Sequence, residues 1–290
     1  MKPKRRSLLF VPAIKTKFYE RALSSEADSV IFDLDDSVAP NGKVEAREVL
    51  RQHFPRHHAK EVSIRLNSAQ SPFYADDVAL MLELRPRSIT LTKVEHAAEI
   101  TQLVETFTGA GCHDFELILF IETLVGFYNL GEIVASSPHI TAATLGTEDL
   151  CSEMGIERTP LAENPILNRL TVELAMRCHQ YNLQCLGPVF RGFGEAAQLQ
   201  ALEQECLYLK QLNAHGQFAI HPTQIAVQNR LFTITPEQIA AAEQTLALFM
   251  AKAAEEGTAV ISQNGQMQDT PSTVKARKLL QYARAHGYVG

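Results

Sequence analysis

The chain has 290 residues, 46% hydrophobic and 21% charged, with a formal net charge of -6. These values fit a soluble globular protein of one large α/β domain or two ordinary ones. The negative charge argues against nonspecific nucleic-acid binding, and no apolar stretch approaches the 18 residues of a membrane span. The basic start MKPKRRSLLFVP has too short an apolar run for a signal peptide. Cys112, Cys151, Cys178, Cys185 and Cys206 form no CxxC pair and no metal spacing with histidine, so reduced thiols in a cytoplasmic protein are expected.

Residues 7–12 (SLLFVP) read as a first strand, and 15–27 as a helix with Phe18, Ala22 and Leu23 at helical spacing. Residues 29–36 (SVIFDLDD) are a second strand ending in three acids, followed by a helix over 43–53. A third strand, 61–67 (EVSIRLN), ends in Arg65 and Asn67. A helix over 75–84 stops before Pro86, and 88–94 (SITLTKV) is a fourth strand carrying Lys93. A helix over 97–109 leads to a turn at Gly111. The fifth strand, 115–123 (FELILFIET), is a short apolar run suited to burial on both faces of a parallel sheet, and it ends in Glu122. Residues 141–150 (TAATLGTEDL) make a sixth strand entering a Gly-containing loop. A long helix spans 164–181, strand seven spans 184–190, a helix spans 196–214, and strand eight spans 217–222.

Eight strand–helix units in about 230 residues predict an α/β fold, a (β/α)8 TIM barrel. A doubly wound open sheet competes, but no GxGxxG follows the first strand. Two helices, over 236–256 and 271–286, flank a polar connector at 262–269. The expected division is a catalytic barrel over 1–256 and a helical C-terminal extension over 257–290.

A carboxylate at the end of a buried strand is costly unless paired. Glu122 precedes Asp149 by 27 residues, one strand–helix unit, so both carboxylates can reach one Mg²⁺ or Mn²⁺. The bland alternative is one helix cap and one surface ion pair, and GTEDL does resemble a helix start. Asp33, Asp35 and Asp36 form a crowded acidic cluster, either holding metal-bound water or lying in a solvated turn. Arg65 suits a bidentate grip on an oxo-acid carboxylate, or an internal ion pair with the strand-two acids. Lys93 as a Schiff-base lysine is a minor reading. His221 reads as structural before it reads as a base, and His57 and His58 as surface residues.

Taken together these motifs resemble the citrate lyase beta subunit-like branch of the HpcH/HpaI aldolase family, which includes malyl-CoA and citramalyl-CoA lyases. The resemblance is carried by RSLLFVP (6–12), ADSVIFDLDDSVAPNGKVEAR (27–47), IRLN (64–67), TKVEHA (92–97), IET (121–123), ASSPHITAATLGTEDLCSEMG (135–155), AIHPTQI (219–225) and NGQMQDTP (264–271). It implies a barrel that assembles as a homotrimer or hexamer. It implies Mg²⁺ on Glu122 and Asp149, with Asp36 beside the metal-bound water. Arg65, Glu122, Gly146 and Thr147 would surround a small 2-oxo acid, and Phe10, Lys15 and Phe18 would border the CoA of an acyl-CoA thioester. Asp269 would exchange a proton with the acetyl group, within its own chain or, as the resemblance implies for relatives, in a neighbouring subunit's site. The implied reaction is Mg²⁺-dependent retro-Claisen cleavage of a 3-hydroxyacyl-CoA, with (3S)-citramalyl-CoA giving acetyl-CoA and pyruvate. Malyl-CoA lyase, citrate lyase beta subunit, malyl-CoA thioesterase and malate synthase-like activities are alternatives, as is a regulatory binding protein on the same scaffold. Departures from the family pattern are Asp35 where most relatives have Glu, Thr92 in place of a proline, and a loop FRGFGE (190–195) without its usual acid.

Overall fold

Eight short strands account for the apolar runs: β1 (Ser7–Pro12), β2 (Ser29–Asp33), β3 (Glu61–Arg65), β4 (Ser88–Leu91), β5 (Glu116–Ile121), β6 (Ile140–Leu145), β7 (Gln184–Gly187) and β8 (Gly216–Ala219). In the computed structural model they pair in chain order, all parallel, and β8 closes onto β1. The (β/α)8 barrel expected from the alternation of elements is therefore present. The structure describes residues 2–253, 260–261, 267–268 and 270–289.

The chain divides into two compact units, residues 5–232, and residues 1–4 together with 233–290. The helix Pro236–Ala253 belongs to the second of these units. That helix has a core of its own, in which Ile239 and Ala242 are buried with Ala276, Leu280 and Ala283 of the helix Thr270–Ala285. Within the same unit Val260–Ile261 pairs antiparallel with Met267–Gln268. Asp269 lies outside the described residues.

Several elements are shorter than their sequence runs. β2 stops at Asp33, and β6 stops at Leu145 because Thr147–Met154 is already a helix. Glu148 and Asp149 lie in its first turn, where carboxylates complement the helix dipole. The helix expected over 15–27 is a 3-10 turn, Thr16–Phe18, followed by five helical residues, Tyr19–Leu23. Three helices had no clear sequence period because each is eight residues or fewer: Leu124–Tyr128, Leu130–Ala135 and Ile225–Phe232.

Alternation along each strand separates two cores. Leu8, Ile31, Ile118, Phe120, Ala142, Leu186 and Phe218 fill the barrel, with Phe10 against them. Their neighbours Leu9, Val30, Leu117, Leu119, Ala143 and Cys185 face the surrounding helices. The same parity carries Asp33 and Glu122 inward, two residues beyond Ile31 and Phe120, and Arg65 with them as the register partner of Asp33. This register places charge inside the barrel.

The opposite end of the barrel is closed by Arg5, which is fully buried. Its guanidinium donates to Glu61, Glu116, Thr141 and Gln184, which come from four different strands or strand edges. Gly216 opens β8 beside the Arg5 carbonyl, so close that a side chain there would overlap it. Losing one member of a buried ion pair leaves the other without compensation. Arg5→Met is therefore expected to lower unfolding free energy by about 3–5 kcal/mol in urea titration, with Glu61 left buried and unpaired.

Candidate functional site

The inward charges sit at the C-terminal ends of the strands, where barrel enzymes carry their chemistry. Asp33 and Arg65 are register partners on adjacent strands. Arg65 donates through Nε to Asp33 Oδ1 at 2.7 Å and through Nη2 to Oδ2 at 2.8 Å. Burial alone would push the Asp33 carboxyl up, but Arg65 and hydrogen bonds from Ser37 and Asp35 hold it below its ordinary value. The third guanidinium nitrogen, Nη1, lies 3.0 Å from Oδ2 of the exposed Asp36. Beneath Arg65 is an aromatic floor. Its Cζ is 4.7 Å from the Phe10 ring centre, and Phe10 in turn stacks on Phe218 at 5.5 Å. Of the two readings of Arg65, the ion pair with strand-two acids is present.

The loop after β2 is clamped from below. Lys43 Nζ donates to the carbonyls of Leu34 (2.7 Å) and Asp35 (2.8 Å) and to Asn67 Oδ1 (2.7 Å). Asn67 is itself fixed by Asp77, whose other oxygen accepts from Arg47 at 3.0 Å. The clamp holds Asp35 at the mouth with Oδ2 buried and, among the described residues, no hydrogen-bond partner. Burial raises the Asp35 carboxyl to about 6; Asp36 and Asp33 add to the shift, and Arg65 and Lys43 oppose it.

Glu122 is 4% exposed. One of its oxygens, Oε1, accepts from the backbone N–H of Lys93 at 2.9 Å. Gly146, on the adjacent strand end, makes room for the side chain, since a Cβ at 146 would overlap the Glu122 carboxylate. Burial pushes the Glu122 carboxyl up to about 8. Asp149 and Asp36 push the same way, against Arg65 and Lys93. Asp149 faces the same region from its helix, and Lys93 Nζ lies 3.2 Å from its Oδ2. Thr147, between Gly146 and Asp149, is buried.

The donor set fits a hard divalent cation. It is made of carboxylate oxygens, one of them buried where its charge is unfavourable, with the orphan Asp35 Oδ2 nearby suited to accept from a bound water. Among the described residues no three His, Cys, Asp or Glu side chains cluster as a ready metal cage. Mg²⁺ commonly takes only one or two carboxylates and completes its octahedron with water and substrate.

Phe10 belongs to the barrel floor under Arg65. Lys15 and the 41% exposed Phe18 stand on the turn after β1, at the same end of the barrel. His221 caps the turn Pro222–Gln224 and stacks on Phe193, so its role there is structural. His57 and His58 are exposed. All five cysteines are free. No described helix is long and apolar enough to cross a membrane. Sequence reasoning missed Lys43 and Asp77, because a clamp between loops has no local spacing to reveal it.

A closed parallel barrel with paired and unpaired carboxylates, an arginine and a lysine at its C-terminal mouth defines a (β/α)8-barrel enzyme. The chain belongs to the HpcH/HpaI aldolase/citrate lyase family, whose model matches residues 6–222, and it is a lyase by that membership. It is 28% identical to the citrate lyase subunit beta of Leuconostoc mesenteroides subsp. cremoris, over 98% of this chain and 95% of that one. It is 29% identical to the L-malyl-CoA/beta-methylmalyl-CoA lyase of Rhodobacter capsulatus, over 96% of this chain and 94% of that one. The same fold is seen in the protein CitE from Mycobacterium tuberculosis, solved in complex with magnesium, acetoacetate and coenzyme A. That structure has a TM-score of 0.76 and 24% identity, and it covers 96% of this chain and 97% of its own.

The raised Glu122 value has a consequence for stability. The folded protein holds a proton on Glu122 between about pH 4.5 and about 8, where the unfolded chain has released it. The favourable contribution is intact below the unfolded value and is lost as pH rises through the folded one. Glu122→Gln is therefore expected to be more stable than the parent by about 1–3 kcal/mol at pH 8.5 in EDTA. The gap should close near pH 5, as measured by urea unfolding at the two pH values.

Proposed function

We propose that this chain is a Mg²⁺-dependent carbon–carbon lyase acting on a 3-hydroxyacyl-CoA thioester. The favoured substrate is (3S)-citramalyl-CoA, cleaved to acetyl-CoA and pyruvate. The observation that carries the reading is the buried Glu122 carboxylate, seated against Gly146, with Asp149 and Arg65 facing the same space. The names of the relatives support the broader class, thioester-linked acyl cleavage by a lyase.

In this reading Glu122 and Asp149 hold the Mg²⁺, or Mn²⁺ in its place. When bound, the cation supplies Lewis-acid stabilisation to oxygens on which negative charge builds. Arg65 keeps its two-pronged bond to Asp33 and turns Nη1 from Asp36 to the carboxylate of the oxo-acid portion. Asp36, so released, is exposed and able to orient water at the mouth. Gly146 and Thr147 border the oxo-acid with little side-chain bulk, while Phe10 forms the floor. Lys15 and Phe18 border the CoA portion. A base takes the substrate hydroxyl proton, the bond between the hydroxyl-bearing carbon and the thioester's α-carbon breaks, and its electron pair passes to that α-carbon. Asp269 then protonates the resulting carbanion to give acetyl-CoA. A homotrimer or hexamer in the cytoplasm, with Asp269 supplied by a neighbouring subunit, completes the proposal.

One assay separates the alternatives by product. Citramalyl-CoA cleavage gives pyruvate, malyl-CoA cleavage gives glyoxylate, and a citryl thioester gives oxaloacetate, whereas a thioesterase releases free CoA with no 2-oxo acid. Pyruvate from (3S)-citramalyl-CoA with Mg²⁺ is the expected result. Absence of any 2-oxo acid from all three thioesters would sink the lyase reading for this chain. Glu122→Gln should lower kcat at least 100-fold and abolish Mg²⁺ binding in calorimetry, by loss of a charged ligand. Gly146→Ala, which pushes into Glu122, should weaken Mg²⁺ binding while the circular dichroism spectrum of the barrel is retained.

A further inference from the structure

Lys93 touches both proposed metal ligands, and it does so with different parts of itself. Its backbone N–H donates to Glu122 Oε1 at 2.9 Å, and its ammonium lies 3.2 Å from Asp149 Oδ2. The backbone at Lys93 is left-handed, with φ of 49°. Lys is not a residue that favours this region, so the surrounding structure must impose the conformation. The result is that one residue, two positions beyond the end of β4, spans β5 and the helix after β6. The side chains of Lys93 and Asp149 are 39% and 40% exposed, so this ion pair can open without unfolding anything. It also lies where a cation held by Glu122 and Asp149 would be repelled by an ammonium left in place.

We propose that Lys93 is a positioning residue that serves as an internal counter-cation. Its ammonium holds Asp149 in the metal-free protein and is exchanged for Mg²⁺ when the site loads, while its N–H keeps Glu122 aimed throughout. The proposal rests on the assignment of Glu122 and Asp149 as metal ligands. Charge balance makes the exchange reasonable. Five acids, Glu122, Asp149, Asp33, Asp35 and Asp36, stand in one region against three bases, Arg65, Lys93 and Lys43, so acidic charge is in excess once Glu122 has given up its proton, and a divalent cation offsets it. The consequence is that Lys93 weakens Mg²⁺ binding, because the ion must displace a partner already in place. Lysine, a mobile point charge on a flexible stem, suits this use better than a planar guanidinium fixed by a fork of bonds.

The test is calorimetric titration of EDTA-stripped protein with MgCl₂, comparing the parent, Lys93→Met and Lys93→Arg. Lys93→Met keeps the backbone N–H and the stem but removes the charge, and it is expected to bind Mg²⁺ about 3–10-fold more tightly. Lys93→Arg, which retains the charge, should stay near the parent value. The melting temperature of Lys93→Met should fall below the parent's in EDTA and converge with it at saturating Mg²⁺. Lys93→Gly, natural to the left-handed backbone, provides a second charge-removing variant if the methionine variant does not fold. Unchanged or weaker Mg²⁺ binding by the charge-removing variant overturns the proposal. Glu122→Gln tells the two levels apart. If the parent takes up no Mg²⁺ that Glu122→Gln abolishes, the ligand assignment has failed and the role of Lys93 fails with it. If that uptake is present and only the Lys93 effect is missing, the counter-cation role alone is wrong.

Discussion

The two-pronged bond between Arg65 and Asp33 is the interaction on which the mouth of the barrel depends. Both residues are aimed inward by strand alternation, onto a floor formed by Phe10, Phe120 and Phe218. A lone guanidinium or carboxylate on such a floor would carry a large desolvation penalty. Paired across adjacent strands, each satisfies the other, and Arg65 still has one nitrogen directed at the open mouth. The remaining carboxylates are arranged around that pair. Asp36 leans on the third nitrogen of Arg65, Asp35 keeps one oxygen without a partner among the described residues, and the buried Glu122 accepts from a backbone N–H on one oxygen.

This arrangement leaves the mouth of the barrel under electrostatic tension. The Glu122 and Asp35 carboxyls are both pushed upward by burial and by acidic neighbours, to about 8 and about 6. A carboxyl held above its ordinary value costs the fold stability once the pH exceeds the value in the unfolded chain. The clamps around the site work in the other direction. Lys43, Asn67, Asp77 and Arg47 tie the loop after β2 to the scaffold through buried charge-assisted bonds. Gly146 does the same by subtraction, since its missing side chain is the space Glu122 occupies.

The two ends of the barrel use buried charge differently. At the N-terminal end Arg5 meets Glu61 and Glu116 with Thr141 and Gln184 filling its remaining donors, so positive and negative groups are matched and the end is closed. At the C-terminal end acids outnumber bases, and the excess faces an opening. Matched charge at one end favours a fixed plug. Excess acid at the other favours a cation and a ligand that can come and go.

Much of this was legible from residue order alone. Eight apolar runs separated by helical periods favour a parallel barrel over a doubly wound open sheet, because the count of strand–helix units matches and no GxGxxG follows the first strand. Strand ends bearing Asp33, Arg65 and Glu122 identified the mouth, and the spacing from Glu122 to Asp149 made their meeting plausible. What the chain order could not supply was the partner of each charge. The register sets Arg65 opposite Asp33, and Asp149, which the sequence allows at a strand end or a helix start, lies in the first turn of a helix. Lys93, a minor candidate by sequence, became the residue that touches both Glu122 and Asp149. Local pattern determines which elements form, since periodicity is a property of neighbours along the chain. Which charges meet depends on register and on loops brought together from distant positions, and only the folded barrel decides that.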